Sequence, residues 1–335
     1  MNKKEINYKG KKLITSFVAE LSDDEFNQLR TDYYKKPSFK DVKNQFVKIY
    51  NGGTKNNDIT NYYVKDLMAK TLIYYNKWSI EDVFDYKPLL EFFYARTLSN
   101  EKVFPPTYDK IKNIETAFRL AGKGVASKPS NFPMKTVDKI INKYNKNNNY
   151  YDYSCGWGVR LTSAIKNKVN YFGTDPNYLL TERLNQLAND FMNTIGVNLN
   201  VDIKSQGSEI FVPEWENKMG LSFSSPPYFN LEDYKVGKQS YTDGTTYDEW
   251  INNYFKPTIA NIYKYLINDG YFIININNIG KNNLIKDTMD IAISNNFKYL
   301  CNEQLVNINR CFGAIGKPNE CGFNDNSETI MVFTK

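Results

Sequence analysis

Tyr150-Tyr151-Asp152-Tyr153-Ser154-Cys155-Gly156-Trp157-Gly158 reads as a strand that runs into a glycine-bearing turn and opens a helix. Aromatic residues suit a pleated, packed surface, and two glycines at alternate positions let another group approach the backbone closely. An isolated Gly-x-Gly is equally an ordinary tight turn, so its surroundings decide. Helical and strand-like segments alternate from about Met134: helix 135–144, strand 149–153, helix 158–166, strand 170–175, helix 178–194 and strand 199–204. Strand 219–224, helix 247–268, strand 271–277 and helix 281–295 follow, with two last strands near 298–308 and 328–334. The alternation predicts an α/β, doubly wound and mostly parallel sheet. The last two strands lie close enough in sequence to form an antiparallel pair at its edge, joined by a surface loop over 313–326.

The segment before this pattern has another character. A chain of 335 residues suggests about two domains. Residues 1–20 read as a short hairpin, and Ser22-Asp23-Asp24-Glu25 as a capped helix start. Helices are expected over 62–75 and 88–98, and 121–131, rich in Gly, Lys and small residues, reads as a linker. The boundary is therefore placed at 125/126, with a mainly helical first domain. Its aromatic pairs, such as Tyr33-Tyr34 and Phe92-Phe93, are expected in the core. Residues 1–149 hold 27 Lys and Arg against 17 Asp and Glu, whereas residues 150–335 hold 16 against 20. A basic first half beside a mildly acidic second suits a nucleic-acid grip attached to a working domain; a solvated lysine-rich surface is the plainer account.

Composition excludes much else. The chain has no histidine, which removes Ser-His-Asp and Cys-His-Asn mechanisms and histidine-ligated metal sites. Cys301, Cys311 and Cys321 lack Cys-x-x-Cys spacing and are expected to be free thiols, so no metal site is assigned. Four cysteines, no secretory leader and a mean hydropathy of −0.57 fit a soluble protein of a reducing cytoplasm, with no membrane partner.

Chemistry gathers at the strand ends. Asp175 closes the second strand, 17 residues after Gly158, where a dinucleotide-type fold places a carboxylate on ribose hydroxyls. Ser205-Gln206-Gly207-Ser208-Glu209 follows the third strand as a polar turn suited to an adenine edge. After the fourth comes Ser225-Pro226-Pro227-Tyr228. Two prolines stiffen the turn and remove two N–H donors, leaving the Ser225 hydroxyl and the Pro226 carbonyl as acceptors. An amino group on an aromatic base is a poor nucleophile because its lone pair is delocalised. Two acceptors on its hydrogens favour a pyramidal nitrogen and stabilise the charge that develops on attack, with no histidine needed.

These residues resemble the DNA amino-methyltransferases, which methylate N6 of adenine or N4 of cytosine from S-adenosylmethionine. The resemblance covers about residues 130–335. Asp152-x-x-x-Gly156-x-Gly158, Asp175, Gly207-Ser208-Glu209 and Ser225-Pro226-Pro227-Tyr228 carry it, in that order. It implies a Rossmann-like methyltransferase sheet with an antiparallel last strand, S-adenosylmethionine as cofactor and DNA as partner. It also implies that Asp152, Gly156 and Gly158 cradle the methionine part, that Asp175 takes the ribose, and that Ser208 or Glu209 lies by the adenine. Phe132 would close over the cofactor, and Tyr228 would stack on a flipped base. Cys155 and Trp157, where the family more often has small residues, are expected to narrow the pocket. Serine before the prolines leans toward cytosine over adenine. RNA or protein-glutamine methylation, or a catalytically silent DNA-binding protein, are the alternatives. The chain stops at the last core strand, so DNA recognition is expected from residues 1–125, the polar 231–247 loop over the base pocket, or the loop between the last two strands. A restriction partner leaves no signature in the sequence.

Overall fold

The computed structural model describes residues 4–73, 78–98, 125–126, 129–235, 239–303 and 328–335, and these form two compact units. One comprises Met1–Ser38, Val64–Ser130 and Leu231–Lys235; the other comprises Phe39–Tyr63, Asn131–Asn230 and Val236–Lys335. A single cut at 125/126 is therefore not the division observed. Phe39–Tyr63 sits with the second unit because its apolar side chains pack there, and Leu231–Lys235 leaves the expected loop to join the first.

In the first unit, β1 (Lys4–Tyr8) and β2 (Lys11–Thr15) form the expected hairpin. Lys9 and Gly10 both take positive φ (48° and 72°), as a two-residue turn matched to strand twist requires. Helix α1 (Asp23–Tyr34) starts with a reciprocal Ser22–Glu25 capping box. Helices α4 (Lys65–Lys70), α5 (Ile80–Asp85) and α6 (Lys87–Leu98) complete a core that includes Leu29, Tyr33, Phe84, Leu90 and Phe93. The short β3 (Leu72–Ile73) pairs antiparallel with β8 (Glu232–Asp233). The helix expected over 62–75 is broken at Val64 (φ −134°, ψ 2°), where the chain passes between units. Most of the 121–131 linker, and Tyr74 and Tyr75, lie outside the described residues.

The second unit is built on seven strands: β4 (Asn149–Asp152), β5 (Asn170–Thr174), β6 (Val201–Lys204), β7 (Met219–Ser224), β9 (Leu266–Ile276), β10 (Lys298–Glu303) and β11 (Thr329–Thr334). Their order is β10-β11-β9-β7-β4-β5-β6. Strands β6, β5, β4, β7 and β9 run parallel, whereas β11 is inserted antiparallel between β9 and β10. This is the expected doubly wound sheet with an antiparallel last strand. Central strands are buried on both faces, which is why β7 reads Met-Gly-Leu-Ser-Phe-Ser without a charge. Strand order reverses between β4 and β7, so their carboxyl ends flank a crevice where ligands bind in such sheets.

The helices α7 (Met134–Tyr144), α8 (Val159–Lys166), α9 (Tyr178–Ile195), α10 (Tyr247–Trp250), α11 (Lys256–Tyr265) and α12 (Leu284–Ser294) fall within a few residues of expectation. A π-helical turn, Ile251–Phe255, joins α10 to α11. Helices α2 (Phe39–Tyr50) and α3 (Asn57–Tyr63) lie against α9: Phe46 stacks on Phe191 at 4.5 Å, and Tyr63 Oη donates to Asp190 at 2.6 Å. The loop expected over 313–326, with Cys311 and Cys321, lies outside the described residues; Cys301 is an exposed free thiol. No helix among the described residues is long and apolar enough to cross a membrane.

Candidate active site

The turn after β4 is held by a buried ion pair. Asp152 has no exposed surface; its carboxylate accepts from Arg160 Nε (2.8 Å), Tyr171 Oη (2.8 Å) and the Ser154 amide (3.3 Å). Arg160 also donates to the Ser154 carbonyl, so one guanidinium fixes both sides of the turn. Asp152 thus faces protein on every oxygen and shapes the glycine turn from beneath. Gly156 (φ 56°) and Gly158 (φ 82°) take the left-handed conformation that starts α8. A Cβ at Gly158 would stand 2.7 Å from Leu184 Cδ2, so this glycine also sets how closely α8 meets α9. Cys155 does not narrow the pocket: it is buried, with Sγ 3.5 Å from the Thr174 carbonyl. Trp157 is half-buried.

Four tyrosines brace the strand ends. Buried phenols need partners. Tyr150 Oη donates to the Phe223 carbonyl (2.7 Å), and Tyr153 Oη lies 3.2 Å and 3.0 Å from the Ser224 and Ile273 carbonyls. Tyr151 Oη bonds Thr174 Oγ1 at 3.0 Å, and Tyr171 supports Asp152. Strands β4, β5, β7 and β9 are thereby tied where they meet the crevice. Burial raises the pKa of all four, keeping them neutral.

Asp175 follows β5 and is half-buried, accepting from the Asn177 amide at 3.0 Å. Desolvation, helped by the Asp152 charge, pushes its pKa up to about 7, against the amides of Asn177 and Gly156 and the Arg160 charge. Beyond β6, Ser208 Oγ bonds Thr258 Oγ1 (2.8 Å), and Asn261 Nδ2 donates to the Ser208 and Glu209 carbonyls, both at 3.0 Å. Glu209 Oε2 is buried without a hydrogen-bond partner among the described residues. A buried carboxylate oxygen in that state is suited to a donor that the protein itself does not supply. Gly207 makes room for it: a Cβ there would fall 2.1–2.5 Å from the Glu209 carboxylate. Tyr254, on the π turn, is buried, and Glu209, Asp175 and Ser208 all act on its phenol. Phe132, half-buried ahead of α7, meets Phe223 edge-on at 5.6 Å.

Ser225-Pro226-Pro227-Tyr228 continues from β7 as expected. Ser225 Oγ lies 3.0 Å from Tyr228 Oη, which donates to the Asn275 carbonyl at 3.1 Å. Tyr228 is 9% exposed, so its ring offers little face to a base in this arrangement. Phe229 follows at φ 47°, and Tyr241, Tyr247 and Trp250 meet its ring edge-on at 5.1–6.0 Å. Ser225 and Tyr228, the Gly156–Gly158 turn, Asp175 and the Gly207–Glu209 turn thus all follow carboxyl ends of neighbouring parallel strands.

Residues 219–335 match the DNA methylase family model. That stretch starts with β7, contains the Ser-Pro-Pro-Tyr turn and runs to the end of β11, and over it the likeness to the N6/N4 DNA methylases is borne out. A TehB-like S-adenosylmethionine-dependent methyltransferase from Corynebacterium glutamicum superposes with a TM-score of 0.40 at 17% identity, over 67% of this chain and 97% of that one. A Burkholderia thailandensis 1,6-didemethyltoxoflavin N1-methyltransferase, with S-adenosylhomocysteine bound, gives 0.37 at 11% identity over 60% and 77%. The curated proteins gave no match.

Sequence reading missed Arg160, Tyr254 and Asn275. A cation in the first turn of a helix is disfavoured unless it is paired, which is a signal for Arg160. Asn275 interrupts an Ile-Ile-Asn-Ile run in a central strand, and polar residues there are informative. No sequence signal marks Tyr254.

Proposed function

We propose that this protein transfers a methyl group from S-adenosylmethionine to the exocyclic amino group of a flipped DNA base, with N4 of cytosine ahead of N6 of adenine. The observation that carries the reading is the Ser225-Pro226-Pro227-Tyr228 turn at the carboxyl end of β7, within the family match and beside the β4 turn.

The residues fit the cofactor. The glycine turn opens a crevice above β4, Asp175 presents a carboxylate suited to a ribose diol, and the unpartnered Glu209 oxygen suits an amino group of the adenine edge. Gly156 and Gly158 hold the methionine end, Asp152 acting through the turn, and Phe132 lies by Phe223 at the end of β7. When bound, S-adenosylmethionine would supply a sulfonium methyl group to the amino nitrogen, the carbon–sulfur bonding pair staying on sulfur and one amino proton passing to solvent.

The chain's own contribution is to accept hydrogen bonds. Ser225 Oγ and the Pro226 carbonyl take the two amino hydrogens and stabilise the charge growing on nitrogen. Tyr228 and the aromatic group around Phe229 border the place of the base. The basic first half supplies phosphate contacts. Incubating unmethylated DNA with the protein and S-adenosylmethionine, then analysing the nucleosides by mass spectrometry, tests the reading. N4-methylcytosine supports it in full, and N6-methyladenine corrects the base. Neither product, with methylated RNA or glutamine instead, overturns it.

A further inference from the structure

Asn275 lies on β9, outside the motifs that follow β4, β5, β6 and β7, and is 1% exposed. Its Nδ2 donates to Tyr228 Oη at 2.9 Å and to Ser225 Oγ at 3.3 Å, and it faces Glu328 Oε2 at 3.4 Å. The orientation of an amide must be settled from its neighbours. Here Glu328 settles it: a carboxylate accepts only, so the atom facing it is the NH2. The two hydrogens of that NH2 are shared among Tyr228 Oη, which is nearest, Ser225 Oγ and Glu328 Oε2.

The protons can then be counted. A phenol has one, and Tyr228 gives it to the main-chain carbonyl of Asn275. In the 3.0 Å contact between Tyr228 Oη and Ser225 Oγ, Ser225 must then be the donor. Its own hydrogen points at Tyr228, and at least one of its two lone pairs remains for an outside donor. With its single proton committed, the Ser225 hydroxyl can only accept from whatever enters the pocket.

We propose that Asn275 and the Tyr228 hydroxyl are positioning groups that lock Ser225 Oγ as a hydrogen-bond acceptor toward the substrate amino group. The inference rests on the methyl-transfer reading and assigns Tyr228 a role that its ring alone does not have. A free serine rotor can also turn its hydrogen toward the amino nitrogen, where it ties up the lone pair that attacks. Locking the rotor removes that unproductive state from the bound complex.

Tyr228→Phe separates the two roles, because phenylalanine keeps the ring and loses only the hydroxyl. The expected result is a fall in kcat of about tenfold or more, with KM for DNA and the Kd for cofactor unchanged. Asn275→Ala keeps the main-chain carbonyl that takes the Tyr228 proton and removes only the side-chain donor, so it should lower kcat in the same way but by less. In a Ser225→Ala background, Tyr228→Phe should cost nothing further, since no rotor is left to lock. Thermal melting of each variant reports folding, and the dependence on Ser225 is what a merely structural role does not produce. Wild-type kcat in Tyr228→Phe, or an equal additional loss in the Ser225→Ala background, overturns the inference while leaving the methyl-transfer reading intact. A wild-type protein that forms no methylated nucleoside overturns both.

Discussion

Arg160 Nε donates to Asp152 Oδ2 across 2.8 Å, and the two side chains are 7% and 0% exposed. Burial works against the Arg160 cation, but the Asp152 charge and hydrogen bond, with Tyr150 and Tyr171, together outweigh it and the net shift is upward. Removing one member of a buried pair leaves the other charge stranded, at a cost of about 3–5 kcal/mol. Arg160→Met is therefore expected to destabilise the protein on that scale, read as a lower urea midpoint. Cofactor affinity should fall as well, because the guanidinium also holds the Ser154 carbonyl of the glycine turn. An unchanged midpoint would show that the pair is not a support of this turn.

Asp175 gives a pH dependence with opposite signs for stability and for binding. Its folded pKa of about 7 lies above the ordinary 3.8. The folded state thus binds the extra proton between these values, and this contribution to stability is lost as pH rises through about 7. A ribose diol donates to the ionised carboxylate, so cofactor affinity should rise about tenfold per pH unit below 7 and level off above it. Calorimetry at pH 6 in buffers of different ionisation enthalpy should show proton release on binding. Asp175→Ala should abolish that release and weaken binding by about 1.5–3 kcal/mol; an undiminished affinity would remove the ribose assignment.

Glu209 depends on the absence of a side chain two residues earlier. Gly207→Ala puts a Cβ on the carboxylate and should push it out of its present place. The expected outcome is weaker cofactor binding with little loss of stability, and Glu209→Gln should retain more affinity than Gly207→Ala. If Gly207→Ala bound the cofactor normally, the unpartnered oxygen would have another purpose.

Much of this was legible in the sequence because the period of the apolar pattern changes at Met134 and each turn carries its own chemistry. Gly156 and Gly158 announced the β4 turn, and the two prolines after Ser225 announced an acceptor-rich turn. The part that was not legible depends on partners distant in sequence. Asp152 carries a motif-like carboxylate, yet only the fold brings Arg160 and Tyr171 onto it. Tyr228 looked like a stacking ring because its hydroxyl's partner, Asn275, comes 47 residues later. Phe39–Tyr63 read as part of a basic helical domain because its burial partner, Phe191, lies far along the chain.

That last assignment changes the experiment that separates DNA binding from methyl transfer. A chain beginning at Ser127 would lose Phe46 from its stack on Phe191, and with it the buried Val42, Ile49, Ile59 and Tyr63. Deleting a single buried phenylalanine side chain costs about 3–5 kcal/mol, so this truncation should be unstable or aggregate. Asn131 Nδ2 donates to Thr60 Oγ1 at 2.9 Å, so the ends left by removing 64–130 are close. Residues 39–63 joined by a short Gly-Ser linker to 131–335 should therefore fold where the simple truncation fails. This shortened protein is expected to bind S-adenosylmethionine like the full chain and to lose most DNA affinity. The full chain's DNA binding should fall steeply with salt, as phosphate neutralisation requires. If the shortened protein methylated DNA at the same sites with the same salt dependence, recognition would belong to the second unit, and the charge of the first, 20 Lys and Arg against 16 Asp and Glu, would be only a solvated surface.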